Sequence, residues 1–172
     1  MRKDNLLFIN DKDIWKEWSA LLIEGSYNSL MEPADLKTYV ENDFRSEHGK
    51  RVSVKNTRYK DRNITLVFDI QGTSMRDYNN KKDSLLAEMQ KGIFELKVIP
   101  LKTTYKVYLP SGYFLGLNSD PGLSSGKLSV RLNEPNPKDR IKDAGLPWLF
   151  KDEKWREGFW VEDGRWGIDL DE

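Results

Sequence analysis

The stretch Arg62 to Ile70 reads R-N-I-T-L-V-F-D-I, and Ile64, Leu66, Phe68 and Ile70 alternate with Asn63, Thr65, Val67 and Asp69. Successive side chains of a strand point to opposite faces, so this period of two demands a half-buried β-strand. Its β-branched and aromatic content suits a pleated surface, and Gly72 ends it. One such strand is not stable alone. It needs neighbours in a sheet and a second layer over its apolar face, which commits the chain to a β-rich core.

A helix follows. Ser74 and Asp77 have capping-box spacing, with Asp in place of the usual Glu. Tyr78, Leu85, Leu86 and Met89 fall on one face at helical spacing, with Lys81, Lys82, Asp83 and Glu88 placed around it. Lys91 suits the last turn and Gly92 the left-handed stop, so a helix over about 75–91 is predicted. Further strands are predicted from Ile93 to Ile99, from Tyr105 to Leu109, from Tyr113 onwards, and through Leu128, Val130 and Leu132. Pro110-Ser111-Gly112 reads as a turn, Asp120-Pro121-Gly122 and Ser124-Ser125-Gly126 read as loops, and Glu134-Pro135-Asn136-Pro137 ends the last strand.

Upstream the signals are weaker. Leu6 to Ile9 reads as a short buried strand ended by Asn10-Asp11. Ile14, Trp15 and Trp18 suit a helical turn or an irregular strand. Leu21-Leu22-Ile23 is an apolar run that Gly25-Ser26 breaks, and Tyr27 to Met31 makes one helical turn before Pro33. Val40 and Phe44 sit in a weakly patterned stretch that Gly49 closes, with strand pattern again from Val52. The fold class expected is α+β, mostly β.

Composition narrows function. The chain of 172 residues carries 28 basic and 28 acidic residues, so no net field steers it to nucleic acid or an anionic membrane. The run Lys50, Arg51, Lys55, Arg58, Lys60, Arg62 reads as a solvated strand edge, because aromatic stacking partners are sparse there. No cysteine is present, which excludes disulfides, thiolate nucleophiles and Cys-based zinc sites. The N-terminal apolar run is too short for a signal peptide, and no stretch approaches the roughly 20 apolar residues of a membrane span, so synthesis and assembly in a cytoplasm are expected. The single histidine, His48, reads as an exposed loop residue. No G-x-S-x-G elbow occurs, Gly112 to Gly116 makes no phosphate cradle, and Asp163, Asp169, Asp171 and Glu172 read as solvated. No catalysis, cofactor or metal is expected.

The last 35 residues, Lys138 to Glu172, hold four of the six tryptophans: Trp148, Trp155, Trp160 and Trp166. Asp163-Gly164 suits a type I′ turn, which sets Glu162 opposite Arg165 and gathers Phe159, Val161, Trp166 and Ile168 on one apolar face. A hairpin of this kind must dock on its own domain or on a neighbour. Trp148, Trp155, Phe159, Trp160 and Trp166 are therefore the candidate interface residues. Exposed tryptophans also stack on sugar rings, so a small β-rich carbohydrate-binding module is the alternative reading.

The order of elements from Arg62 to Pro137 is distinctive: R-N-I-T-L-V-F-D-I-Q-G, the helix K-K-D-S-L-L-A-E-M-Q-K-G, then I-F-E-L-K-V-I-P, T-Y-K-V-Y-L and G-K-L-S-V-R-L-N-E-P-N-P. With Tyr59 upstream, it resembles the N-terminal domain of the distal tail proteins of long-tailed, non-contractile phages. The resemblance covers residues 1–137. It implies an antiparallel β-sandwich or split barrel with one flanking helix. It further implies a hexameric ring in the virion tail of a phage or prophage, joining the tail tube to the baseplate or tip. The implied partners are further copies of the chain and the tail-tube and tail-tip proteins, with no cofactor and no catalysis, assembled in the bacterial host. Many relatives carry a galectin-like second domain. Here residues 138–172 follow instead, as a Trp-rich arm expected to complete the domain or clasp a neighbour.

Overall fold

The structure is a computed structural model, described over residues 6–142 and at strand residues 149–151, 154–156, 159–160 and 166–167. Two compact units divide after Ile141. The first opens with β1 (Leu7–Ile9) and β2 (Lys12–Asp13), followed by α1 (Ile14–Trp18), β3 (Ala20–Leu22) and α2 (Glu24–Met31). An exposed pair, β4 (Val40–Asn42) and β5 (Arg51–Ser53), precedes the long strand β6 (Arg62–Gln71). Then come α3 (Met75–Met89), β7 (Phe94–Val98), β8 (Thr103–Val107), β9 (Phe114–Ser119), β10 (Ser125–Glu134) and β11 (Ile141–Lys142).

β6 is the strand the alternation demands. Arg62, Ile64, Leu66, Phe68 and Ile70 all face inward. It lies inside a four-stranded sheet of order β3-β6-β10-β9 and pairs antiparallel with β10 along its whole length, from Gln71 opposite Ser125 to Arg62 opposite Glu134. A five-stranded sheet, β11-β8-β7-β1-β2, forms the other layer. Tyr108 and Asn133 exchange two backbone hydrogen bonds of 3.0 Å and join the layers at one corner. One apolar cluster fills the space between, drawing Leu7, Leu96 and Val107 from one sheet, Leu66, Phe68 and Val130 from the other, and Leu85 and Met89 from α3. The architecture is the mostly-β, α+β sandwich that the resemblance implies, with α3 as its main helix.

Ser74 caps α3 as its spacing predicts, accepting from Asp77 N at 3.2 Å. The Asp77 carboxylate reaches past the cap residue and accepts from Thr73 N at 2.9 Å. Tyr78 lies across two glycines. A Cβ on Gly72 would sit 2.6 Å from its backbone nitrogen, and one on Gly126 would sit 2.4 Å from its hydroxyl. Ser125 and Gly126 are thus not a loop. They open β10, where a bare backbone lets the tyrosine pack close.

Two local readings are corrected upstream, and one left open is settled. Asn10 and Asp11 do not simply end a strand. With φ of 49° and 63° they form the two-residue link of a hairpin between β1 and β2, the conformation a type I′ turn requires. Ile14 to Trp18 is helical, capped by Asp13, whose carboxylate accepts from Trp15 N at 2.8 Å. Gly25 and Ser26 follow the end of β3 at Leu22 but, rather than standing between strand and helix, lie inside α2, which starts at Glu24. β3 covers β6 only from Phe68 to Ile70, and α2 takes over the rest of that edge. Val67 N donates to Ser26 Oγ at 2.9 Å and Thr65 N to Ser29 Oγ at 3.0 Å. Satisfying two otherwise orphaned strand amides outweighs the poor helix propensity of this sequence.

The second unit contains two hairpins: β12 (Leu149–Lys151) with β13 (Lys154–Arg156), and β14 (Phe159–Trp160) with β15 (Trp166–Gly167). The second is the expected Trp-rich hairpin in a different register. Trp160 is opposite Trp166 and Phe159 opposite Gly167, whereas a two-residue Asp163-Gly164 turn would set Trp160 against Gly167. Asp163, Gly164, Glu162 and Arg165 lie outside the described residues.

Candidate interaction surface

Residues 35–60 leave the sandwich as an arm. At its root Leu36 bridges Tyr59, with Lys37 N donating to Arg58 O and Lys60 N to Asp35 O, both at 2.8 Å. Beyond, β4 and β5 pair with Glu41 opposite Val52. Every residue from Val40 to Lys60 is exposed, including Val40, Phe44, Val52 and Val54. His48 is exposed in the connection between the strands, as its sequence context predicts. Lys50 pairs with Glu41 at 2.7 Å and Arg51 with Glu47 at 2.6 Å, exposed contacts that contribute little. A two-stranded ribbon with apolar residues in water on both faces is marginal until something covers it.

The second exposed apolar surface is β9. Its sequence, Phe-Leu-Gly-Leu-Asn-Ser, contains no charge and no proline. One side pairs with β10; on the other no strand lies among the described residues. Phe114 is 55% exposed, with Leu115 and Leu117 open beside it. Edge strands are ordinarily shortened, charged or covered to prevent pairing with another chain. β2 and β11 are two residues long and β3 is three. β9 is six residues long and has none of these protections.

The first unit also holds a buried charge cluster that sequence reasoning missed. Arg62, read as part of a solvated basic edge, is buried instead. Its Nε donates to Glu134 Oε2 at 3.0 Å, with side-chain exposures of 6% and 1%. Its Nη1 caps the end of α2, donating to Leu30 O at 3.1 Å and to Glu32 O, while Nη2 is buried without a hydrogen-bond partner among the described residues. Arg140 grips the same carboxylate with two hydrogen bonds, 2.7 and 2.8 Å. Both guanidiniums lie over the Tyr105 ring, at 5.8 and 5.1 Å from its centroid, and the Tyr105 hydroxyl donates to Leu30 O at 3.2 Å. The pairing of Arg62 with Glu134 follows from the β6–β10 register, which sets the two residues opposite each other.

Glu88 is a second departure. The helical pattern places it on the solvated face, yet its side chain is only 8% exposed. Lys91 Nζ donates to its carboxylate at 2.7 Å, with Asn10 Nδ2 and Lys12 Nζ at 3.1 Å each. These bonds, that from Lys91 foremost, hold the Glu88 carboxyl at about 2, below its ordinary 4.5. Because the folded value is depressed, the stabilisation is fully present above pH 4.5 and is lost as pH falls from there through about 2. Both lysine partners are exposed, so after screening about 1–2 kcal/mol is expected. Urea titrations of wild type and Glu88→Gln should differ by that amount at pH 6 and converge near pH 2; a gap independent of pH would refute the assignment.

Of the candidate interface residues, Trp155 lies in β13, Phe159 and Trp160 in β14 and Trp166 in β15, all in the second unit. Trp148 lies outside the described residues. Among the described residues no group of three or more His, Asp or Glu side chains could hold a metal ion, and no helix is long and apolar enough to cross a membrane. The open surfaces of the first unit were hidden in the sequence. Val40, Phe44 and Val52 show no periodicity, and β9 reads like any strand until its missing neighbour is seen.

No family model and no curated protein matches this sequence. Among solved structures, that of the SPP1 Dit (gp 19.1) protein, described as a paradigm of the hub adsorption apparatus in phages infecting Gram-positive bacteria, aligns with a TM-score of 0.53 at 10% identity. The alignment covers 77% of this chain and 50% of that one. The chain shares its fold with that Dit protein. This chain spans about half the length of its Dit counterpart. At such low identity the sandwich and its topology are what the two share. The loops and edges described above belong to this chain.

Proposed function

We propose that this protein is a structural, non-enzymatic component of a phage or prophage tail, assembling as a hexameric ring between the tail tube and the baseplate or tip. The likeness to the Dit hub protein carries the reading. The two open surfaces support it. A ring requires heterologous contacts, in which one patch meets a different patch on the next copy. The uncharged β9 edge and the exposed β4–β5 arm are two such unlike patches on one chain. Arm and edge together offer apolar side chains and unpaired backbone groups, the elements of strand addition.

Native mass spectrometry and sedimentation across a concentration series test the proposal, on the protein alone and mixed with tail-tube and tail-tip proteins from the same genome. A discrete hexamer, alone or on mixing, is the expected result. Phe114→Asp should abolish it while leaving the monomer folded. A chain that stays monomeric at every concentration and binds neither partner would overturn the proposal.

A further inference from the structure

We infer that residues 135–141 form a releasable strap over the edge of β8, held by a guanidinium that can leave without exposing a buried charge. β11, which begins at the last residue of this segment, flanks β8 in the five-stranded sheet, so the segment leads into the strand that covers part of what is otherwise that sheet's outer edge. Its attachments are polar. Lys106 Nζ meets Asp139 at 3.1 Å, Lys138 Nζ lies 5.9 Å from the centre of the Tyr59 ring, and Arg140 grips Glu134. No apolar side chain of the segment is buried: Pro137 is half-buried and Ile141 exposed. An internal turn, Asp139 N to Asn136 O at 3.0 Å, keeps the segment compact without tying it to the sheet.

The carboxylate of Glu134 makes release possible. It has two guanidinium partners of different character. Arg62 is buried, stands opposite it across the β6–β10 ladder, and also holds the end of α2. Arg140 is 21% exposed and lies outside any strand, just before the two-residue β11. When Arg140 departs, Glu134 keeps its bond to Arg62, so no unpaired buried charge opposes the opening. An interaction with an exposed partner on a short, apolar-poor segment belongs to the least stable end of a protein's local unfolding spectrum. Opening frees one face of the Tyr105 ring and the outer backbone groups of β8, a ready acceptor for an added strand.

Hydrogen exchange on the full chain tests this, comparing wild type with Arg140→Ala and Arg140→Lys. Arg140→Ala should speed exchange of the β8 amides by about tenfold or more, while amides of β6 and β10 and the urea midpoint stay close to wild type. Arg140→Lys keeps the charge but not the two-pronged grip, and should fall between. Unchanged β8 exchange in Arg140→Ala would overturn the inference. Equal acceleration in β8, β6 and β10 would overturn it as well, because it would make Arg140 part of the global fold rather than of a strap.

Discussion

Replacing Glu134 by alanine is expected to lower the stability of the first unit by about 3–5 kcal/mol, measured as a shift in the urea midpoint at neutral pH. Most of that loss lies with the partner left behind. Arg62 is held inside the sandwich by the inward alternation of β6, and its side chain is 6% exposed. With the carboxylate gone, a permanently charged guanidinium remains buried with only the carbonyls of α2 as partners. Such a loss is a large part of the roughly 5–15 kcal/mol by which a domain is stable at all. The double variant Arg62→Met, Glu134→Leu separates the cost of an orphaned charge from the worth of the pair. It should recover at least half of the loss, because apolar replacements of similar size are often tolerated. If the double variant is as unstable as Glu134→Ala, the charge account fails and the positions matter for shape instead.

Phe68→Ala should cost a comparable amount, about 3–5 kcal/mol, for a different reason. Phe68 is fully buried near the middle of β6, with Leu22 opposite on β3 and Leu128 opposite on β10. Both layers and α3 contribute to the apolar cluster around it, so truncation leaves a cavity that no single element can collapse to fill. Phe114→Ala is the matched control. The same side chain on β9 lies mostly in water, and its loss should change stability by no more than about 0.5 kcal/mol. If both variants fall equally in urea, Phe114 is packed in solution and β9 is not an open edge.

The long periodic elements were legible in the sequence because burial on one face leaves an arithmetic trace. β6, α3 and β10 follow from the spacing of Ile64 to Ile70, Tyr78 to Met89 and Leu128 to Leu132. What escaped depends on contacts far apart in the chain. Ser26 reads as the break after an apolar run until β6 is seen to need its hydroxyl. Arg62 looks like the last of a solvated basic run until Glu134 appears across the ladder, 72 residues on. Glu88 looks like surface until Asn10, from the other end of the unit, meets it. Arg62 and Glu88 were assigned to solvent by their local pattern and claimed by a distant partner. The C-terminal register shows the converse. A dipeptide strongly disposed to a two-residue turn did not dictate the pairing of Trp160 with Trp166. The interaction surface was the least legible part, because an open edge is a missing neighbour, and composition does not reveal missing neighbours.

The hydroxyls of α2 have a consequence for how copies add. By occupying β6 where β3 stops, they leave the four-stranded sheet with one long flank that no strand covers among the described residues, at β9, whose pairing with β10 shifts register between Ser129 and Val130. The sheet is in effect monovalent. Two molecules meeting flank to flank would saturate each other and growth would end at a pair. Any larger closed assembly must draw its donor from outside the sheet, and the exposed β4–β5 arm is one place from which this chain could lend a strand.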